Sequence, residues 1–392
     1  MVWTEKSTVS LREEFVKLAC QDGANRRALC QRFGISPKTG YKWLARAAQA
    51  PVRDGLSALH DRSRRPHASP ARSAQAVEQA VTDVRREHPA WGARKIARRL
   101  RDLGLATVAP STVTHILHRH GLISPEASQA AMAWQRFEHE APNNLWQIDF
   151  KGRFSTLAGP CHALTLLDDH SRFNLLLHAL GRTDTEQVQT QLVEVLRRYG
   201  LPARINADNG SPWGSPSAGG RGVDEGGRSL SELAVWLIRL GVRVSFSAPY
   251  HPQTNGKLER FHRTLELEAI AGRHFADLTA TQHAFDRWRS TYNCQRPHEA
   301  LDLQVPVQRY QPSPVPYPER LPPIEYPSTD TVITVGWNGF IHFKGRKMRM
   351  SSALHRLPIA IRARADSDGL HDVYFCHQRF MCIDLRTPII DT

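Results

Sequence analysis

At 392 residues the chain is too long for one ordinary domain, so two to four are expected, with enough residues to bury a sizeable core. Its 52 Lys and Arg exceed its 38 Asp and Glu by 14, and residues 1–142 alone hold 23 basic and 13 acidic side chains (23 − 13 = +10), which favours a polyanionic partner, nucleic acid before membrane. Six scattered cysteines without a C-x-x-C pair, the lack of a signal peptide and the lack of any apolar run of bilayer length argue against a disulfide-built secreted domain and a membrane-spanning helix, and point to a reducing cytosol.

The opening residues have helical spacing in "LREEFVKLACQ", "RRALCQRFG" and "ISPKTGYKWLARAA", where Ser36 can cap the third helix and Pro37 falls at its first position. The cadence returns in "WGARKIARRLRDLG" and "TVAPSTVTHILHRHGL", and both closing helices read P-x-T-x-x-x-x-L, from Pro37 to Leu44 and from Pro110 to Leu117. This predicts two helix-turn-helix DNA-binding domains in tandem, at residues 1–50 and 73–125, each offering a recognition helix to a major groove. Two small helical bundles are the plainer alternative. Lys38, Thr39 and Lys42 in the first, with Ser111, Thr112 and Thr114 in the second, are placed to reach base edges or phosphates. Residues 51–72 contain the cationic "HDRSRRPHASPARS", a linker whose Arg62, Arg64 and Arg65 could follow phosphates or a minor groove, or simply be solvated.

Residues 126–142 read as a further linker. Beyond it the pattern alters: "LWQIDF", "HALTLLDD" and "RFNLLLHAL" are strand-like, and a helical segment follows from Thr183 to Tyr199. The strand "ARINAD", a Gly/Ser-rich stretch, the helix "SLSELAVWLIRLG", the strand "VRVSFSAP" and a last helix in "NGKLERFHRTL" complete an α/β mixed sheet with flanking helices over residues 143–310. Residues 311–328 are proline-dense and should run extended and semi-rigid. Residues 329–392 hold short strands in "TVITVGWNGFIHFKGRKMRM", "LPIAIRARA", "HDVYFCHQRF" and "MCIDLRT", expected to form a small β-barrel. Seven Lys or Arg and no acid lie between 331 and 364, so this module too should meet DNA or a neighbouring subunit.

Asp149 is expected to end the first strand of the mixed sheet and Asp208 its fourth. Glu259 falls in the second turn of a helix whose Leu258, Phe261 and Leu265 share one stripe. A Glu so placed is ordinarily a surface ion-pair partner, here of Arg263, worth little to stability. The three acids could also converge at the carboxyl edge of the sheet, where their mutual repulsion requires cations. Mg²⁺ suits a set of few carboxylates completed by water and phosphate, and two such ions serve an in-line displacement at phosphorus. Lys257, Arg260, His262 and Arg263 could then hold DNA phosphates, so far as their faces point outward.

The motifs "QIDF", "LLDDHSRF", "ADNG", "PYHPQTNGKLERFHRTL" and "YNCQRPHEAL" resemble, in the right order, the catalytic core of insertion-sequence transposases of the DDE class, relatives of retroviral integrases. The resemblance spans most of residues 143–310 and implies a ribonuclease-H-like fold, with Asp149, Asp208 and Glu259 as catalytic metal-binding triad for Mg²⁺ or Mn²⁺, two ions to a site. It implies nicking at the element's end to expose a 3′-hydroxyl, which then attacks target DNA. Asp168 and Asp169 correspond to a turn in that pattern and are assigned a structural role, with support of the metal ligands from behind or a DNA contact as the lesser alternative. The stretch "SPWGSPSAGGRGVDEGGRS" lengthens the Asp-to-Glu spacing of many relatives, and His115, His118 and His120 lack a nearby Cys pair, so no zinc is expected. The expected partners are DNA, as terminal inverted repeats and target, and further copies of the chain in a dimer or tetramer, because one site handles one strand end at a time. The expected location is the bacterial cytoplasm, at the nucleoid when DNA-bound, with no membrane. Two other functions remain open: an inert, transposase-derived DNA-binding regulator and a ribonuclease-H-like nuclease. Intact acids favour activity, and tandem DNA-reading units weigh against a nuclease without sequence preference.

Overall fold

The computed structural model describes residues 8–49, 57–62, 72–123, 139–208, 210–216, 228–246, 256–365 and 367–386. They fall in two compact units, residues 1–72 and 73–392.

The first unit is built from α1 (Thr8–Ala19), α2 (Arg26–Arg32) and α3 (Pro37–Ala48). Local chemistry sets the helix starts: Asn25 accepts from the Ala28 amide at 3.0 Å, and Ser36 accepts from the Thr39 amide at 3.2 Å with Pro37 just behind it. Phe15, Ala19 and Cys30 are the buried centre. Gly40 permits the close approach of α3, because a Cβ there would stand 2.5 Å from Cys30 Sγ and 2.9 Å from Phe15 Cζ. In the segment read as a linker, Ser57–Leu59 form one 3-10 turn whose Leu59 carbonyl accepts from Arg12 at 2.8 Å.

The second unit opens with α4 (Gln75–Glu87), α5 (Ala93–Asp102) and α6 (Pro110–Arg119), packed around Trp91, Ile96, Leu100, Val113 and Ile116. The sequence reading named helices matching α5 and α6 but not α4, whose buried Val81 and Val84 complete this core. Glu78 of α4 is buried and accepts from Arg119 at 2.5 Å, beside His120 at 3.3 Å, tying α4 to the end of α6.

The mixed sheet follows: β1 (Trp146–Thr156), β2 (Gly159–Asp168), β3 (Asn174–Leu180), α7 (Thr185–Tyr199), β4 (Arg204–Ala207), the short pair β5 (Gly214–Pro216) and β6 (Arg228–Leu230), α8 (Glu232–Arg239) and β7 (Arg243–Phe246). Strand order is β3-β2-β1-β4-β7, with β1 antiparallel to β2 and parallel to β4. Next come α9 (Gly256–Leu265), a π-helical turn (Glu266–Ile270) and α10 (Leu278–Cys294). One sheet face packs on α7 and α8 through Ile148, Leu164, Leu166, Leu192 and Ile238. The other packs on α9 and α10 through Leu167, Leu258, Phe261, Leu265 and Phe285. Side chains of successive strand residues alternate between these faces, and because both faces are covered, three of the four residues of β4 are buried, polar Asn206 included.

The proline-dense segment is pinned along this domain: Ser313 donates to the Leu201 carbonyl at 2.6 Å, and the Leu201 amide donates to the Val315 carbonyl at 2.8 Å. The C-terminal strands are β8 (Thr331–Thr334), β9 (Phe340–Phe343), β10 (Arg346–Arg349), β11 (Pro358–Ala363), β12 (Leu370–Phe375) and β13 (Gln378–Asp384). They pair as a four-stranded antiparallel sheet, β13-β12-β11-β8, and a separate β9–β10 hairpin. Among the described residues no ladder closes them into the expected barrel. "HDVYFCHQRF" is two strands rather than one, because Cys376 takes a φ of 50° and turns the chain between β12 and β13. This module shares the apolar core of the mixed sheet, and Gln378 makes two hydrogen bonds to the Val244 backbone on β7, at 2.8 and 2.9 Å. No described helix is long and apolar enough to cross a membrane.

Gly40→Ala sets a gain of about 0.5–1 kcal/mol in helix propensity against overpacking of about 1–3 kcal/mol. The substitution should therefore destabilise the first unit, read as faster hydrogen exchange of the α1–α3 amides in the full-length protein. Unchanged protection would show that α3 does not need this close approach.

Candidate active site

Asp149 is not the last residue of its strand: β1 continues to Thr156 because residues 150–156 pair with β2 in a long hairpin. It does lie past the last β1–β4 pair, Gln147 with Asn206, and Asp208 follows the end of β4 directly. Both acids therefore stand at the same end of the parallel strands. Glu259 lies in the first turn of α9 rather than the second and is exposed, as the first residue after buried Leu258.

Burial pushes Asp149 up to about 7, and the charges of Asp208 and Glu259 push in the same direction, against the Phe150 amide that donates to its carboxylate at 2.7 Å. Burial also raises Asp208, opposed by the Gly210 amide at 3.0 Å. Asp149 thus feels both of the other sequence-predicted acids. Among the described residues no group of three His, Cys, Asp or Glu is gathered at ion-holding distance. In donor chemistry the set fits a hard divalent cation: it is all carboxylate oxygen, and the charges of Asp208 and Glu259 raise the proton affinity of Asp149.

The two neighbouring acids have other work. Asp168 is fully buried and accepts from the Asn143 amide (2.8 Å), the Ser171 amide (2.7 Å) and the Ser171 hydroxyl (2.6 Å), closing the turn after β2. Asp169, also buried, pairs with Lys257 at 2.5 Å. His262 Nε2 lies 2.8 Å from Thr165 Oγ1. Lys257 and His262 are therefore turned into the protein, and of the cations read as phosphate-holding on α9 only Arg260 and Arg263 are exposed. The structural role expected of Asp169 is met by this pairing, whereas Thr165 and the inward turn of Lys257 and His262 escaped the sequence reading; the signal was present in helix arithmetic, since Lys257 is four residues before Phe261 and His262 four after Leu258, both beside the apolar stripe.

On the candidate DNA-reading helices, Lys38, Lys42 and Ser111 are exposed, and Thr39, Thr112 and Thr114 are half-buried; Arg62, in the linker, is exposed. The Thr39 hydroxyl lies 3.0 Å from Ser36 Oγ, and the Thr114 hydroxyl donates to the Pro110 carbonyl at 3.0 Å. Lys42, Arg12 and Arg46 gather around the buried Trp43 ring, 4.6, 4.0 and 4.8 Å from its centroid. Arg64 and Arg65 lie outside the described residues.

Known proteins resemble the chain in several of its segments. Residues 139–252 and 240–306 match integrase core domains, residues 6–59 and 39–117 match homeodomain-like domains, and residues 330–391 match the C-terminal domain of IS481 family transposases. The chain is similar to the uncharacterized 31.7 kDa protein of insertion element IS407 from Burkholderia multivorans, 25% identical over 57% of this chain and 71% of that protein. It is similar to the transposase for insertion sequence element IS904 from Lactococcus lactis subsp. lactis, 24% identical over 59% of this chain and 91% of the relative. A solved simian T-cell lymphotropic virus intasome in complex with PP2A regulatory subunit B56 gamma aligns at 16% identity and a TM-score of 0.37, covering 78% of this chain and 95% of that one.

Burial, reinforced by the Lys151 charge, depresses His262 to about 4 from its usual 6.5. At pH 7 the ring is neutral in both folded and unfolded chains. Between pH 6.5 and 4 the unfolded chain takes up a proton that the folded one refuses, so stability is lost as pH falls through that window. His262→Gln keeps an N–H donor and does not titrate. Its melting temperature should fall less than that of the wild type between pH 7.5 and pH 4.5, and parallel declines would mean that His262 is not held neutral.

Proposed function

We propose that this chain, which belongs to the insertion-sequence transposases with an integrase-like core, binds the terminal inverted repeats of its element, nicks their ends and joins the exposed 3′-hydroxyls to target DNA. The observation that supports this best is electrostatic: buried Asp149 on β1 is raised by the charges of Asp208, just past β4 at the same end of the parallel strands, and of Glu259 on α9. In this reading the three carboxylates hold two divalent ions, Mg²⁺ or Mn²⁺. Such ions, when bound, stabilise charge on the attacking and leaving oxygens of an in-line phosphoryl transfer.

The chain's own residues supply the remainder. Arg260 and Arg263 project outward beside Glu259, where their guanidinium groups can fix the phosphates flanking the reacting bond and resist rotation of the strand. The exposed cations and hydroxyls of α3 and α6 choose which duplex is presented. Two element ends and one target require at least two copies of the chain, because each site acts on one strand end.

Labelled end DNA with Mg²⁺ tests the assignment. Asp149→Asn, Asp208→Asn and Glu259→Gln each remove a charged ligand while keeping shape, and should lower nicking and joining by about 10²-fold or more with DNA binding retained. Near-normal strand transfer by any one variant would remove that residue from the set. Deleting residues 1–125 should abolish the preference for element ends over random duplex in a competition assay, leaving weak binding that falls with salt. A retained preference would place recognition elsewhere.

A further inference from the structure

Glu259 is an exposed side chain on a helix, so its position depends on how that helix is held. The apolar stripe of Leu258, Phe261 and Leu265 sets the depth of α9 on the sheet. Apolar contact is non-directional and leaves a helix free to shift along its axis or roll. Directional contacts flank Glu259 on both sides. Two residues before it, Lys257 Nζ meets Asp169 Oδ2 at 2.5 Å, and Asp169, 2% exposed, is itself fixed by Gln147 Nε2 at 3.2 Å and the His139 amide at 3.0 Å. Three residues after it, His262 Nε2 meets Thr165 Oγ1 at 2.8 Å. Thr165 is the residue facing Asp149 across the β1–β2 ladder, and its hydroxyl donates to the Asp149 carbonyl at 2.9 Å. With its one proton given to that carbonyl, the hydroxyl accepts from His262, which puts the imidazole proton on Nε2. Farther along, Lys151, two residues past Asp149, meets Glu266 at 2.5 Å.

We propose that Lys257 and His262, acting through Asp169 and Thr165, are positioning residues that fix the carboxylate of Glu259 relative to that of Asp149. The inference rests on the reading of the three acids as the metal-binding set and adds to it the device that brings the third acid to the first. Each contact ends on β1, on the residue paired with it, or on the turn beside it, so a roll of α9 that withdrew Glu259 would break bonds on both sides at once. Partners that orient metal ligands matter to metal affinity and rate by about 10–100-fold even where they touch no substrate. Their inward direction also separates their role from that of Arg260 and Arg263.

The experiment uses the full-length protein with end DNA, and Thr165→Val, Thr165→Ser, Lys257→Met, His262→Gln and Glu259→Gln as variants. Thr165→Val keeps shape and loses the hydroxyl; Thr165→Ser keeps the hydroxyl, and Gln keeps a donor near the position of Nε2. Single-turnover nicking at saturating DNA should fall about 10–100-fold for Thr165→Val and Lys257→Met, and stay within about threefold of wild type for Thr165→Ser and His262→Gln. Mn²⁺ titrated calorimetrically into the protein should bind more weakly to the first two variants, while the Kd for end DNA stays within about twofold in all. Wild-type nicking and Mn²⁺ affinity in both Thr165→Val and Lys257→Met would overturn the proposal, as would a loss confined to DNA affinity, which would make these residues DNA contacts. Equal damage from Thr165→Ser and Thr165→Val would overturn it too, assigning the effect to packing. An active Glu259→Gln would sink the underlying reading of the acids, a result distinct from each of these.

Discussion

The charge that Asp208 and Glu259 bring to bear on buried Asp149 is a constraint that the central domain has to accommodate. Three carboxylates sharing one region would move apart if their backbones were free, and burial increases the cost of keeping them charged. The fold answers by drawing each from a separately anchored element: a long hairpin strand, the end of a short parallel strand, and a helix that crosses the opposite face. Single backbone amides, of Phe150 and Gly210, offset part of the charge on the two aspartates, and the remainder stands as an affinity for protons or for cations.

Rigidity for this arrangement comes from the packing on both faces of the sheet. α7 and α8 fill one sheet face, and α9 and α10 the other, so that β1, β2 and β4 cannot shift without opening a packed core. The outer strand β7 would present an unpaired edge, and Gln378 of β13 answers its Val244 backbone with both halves of one amide. The proline-dense segment is hydrogen-bonded to Tyr199 and Leu201 rather than free to swing, so the C-terminal module packs as part of the same body as the mixed sheet.

What could be read from the sequence was whatever local chemistry decides. Ser36 and Pro37 announced the start of α3, and the spacing of Leu258, Phe261 and Leu265 announced the buried face of α9. The order of strands and helices in the mixed domain was legible for the same reason, since runs such as "HALTLLDD" are dense in leucine and end in polar residues. The features that were not legible depend on partners distant in sequence. Asp149 became a mid-strand residue because β2 extends the pairing, α4 went unnamed although Val81 and Val84 complete a core, and Cys376 turned a run of strand-forming residues into a hairpin. Lys257 and His262, read from their charge alone, suggested phosphate contacts; their spacing from the apolar stripe, set beside the positions of Asp169 and Thr165, turns them inward.

A basic helix that carries one acid is then understandable as three surfaces on one cylinder. The apolar stripe faces the sheet, the polar residues bordering the stripe reach the backbone and side chains around β1, and the residues off the stripe face solvent. Glu259 falls among the last group by periodicity, yet the border residues on either side of it are the ones bonded to the sheet. A side chain that must reach a metal or a substrate has to be exposed, and an exposed side chain has no packing of its own to fix it. Its placement has to be imposed through the backbone it hangs from, and on α9 that means through the contacts made two residues earlier and three residues later.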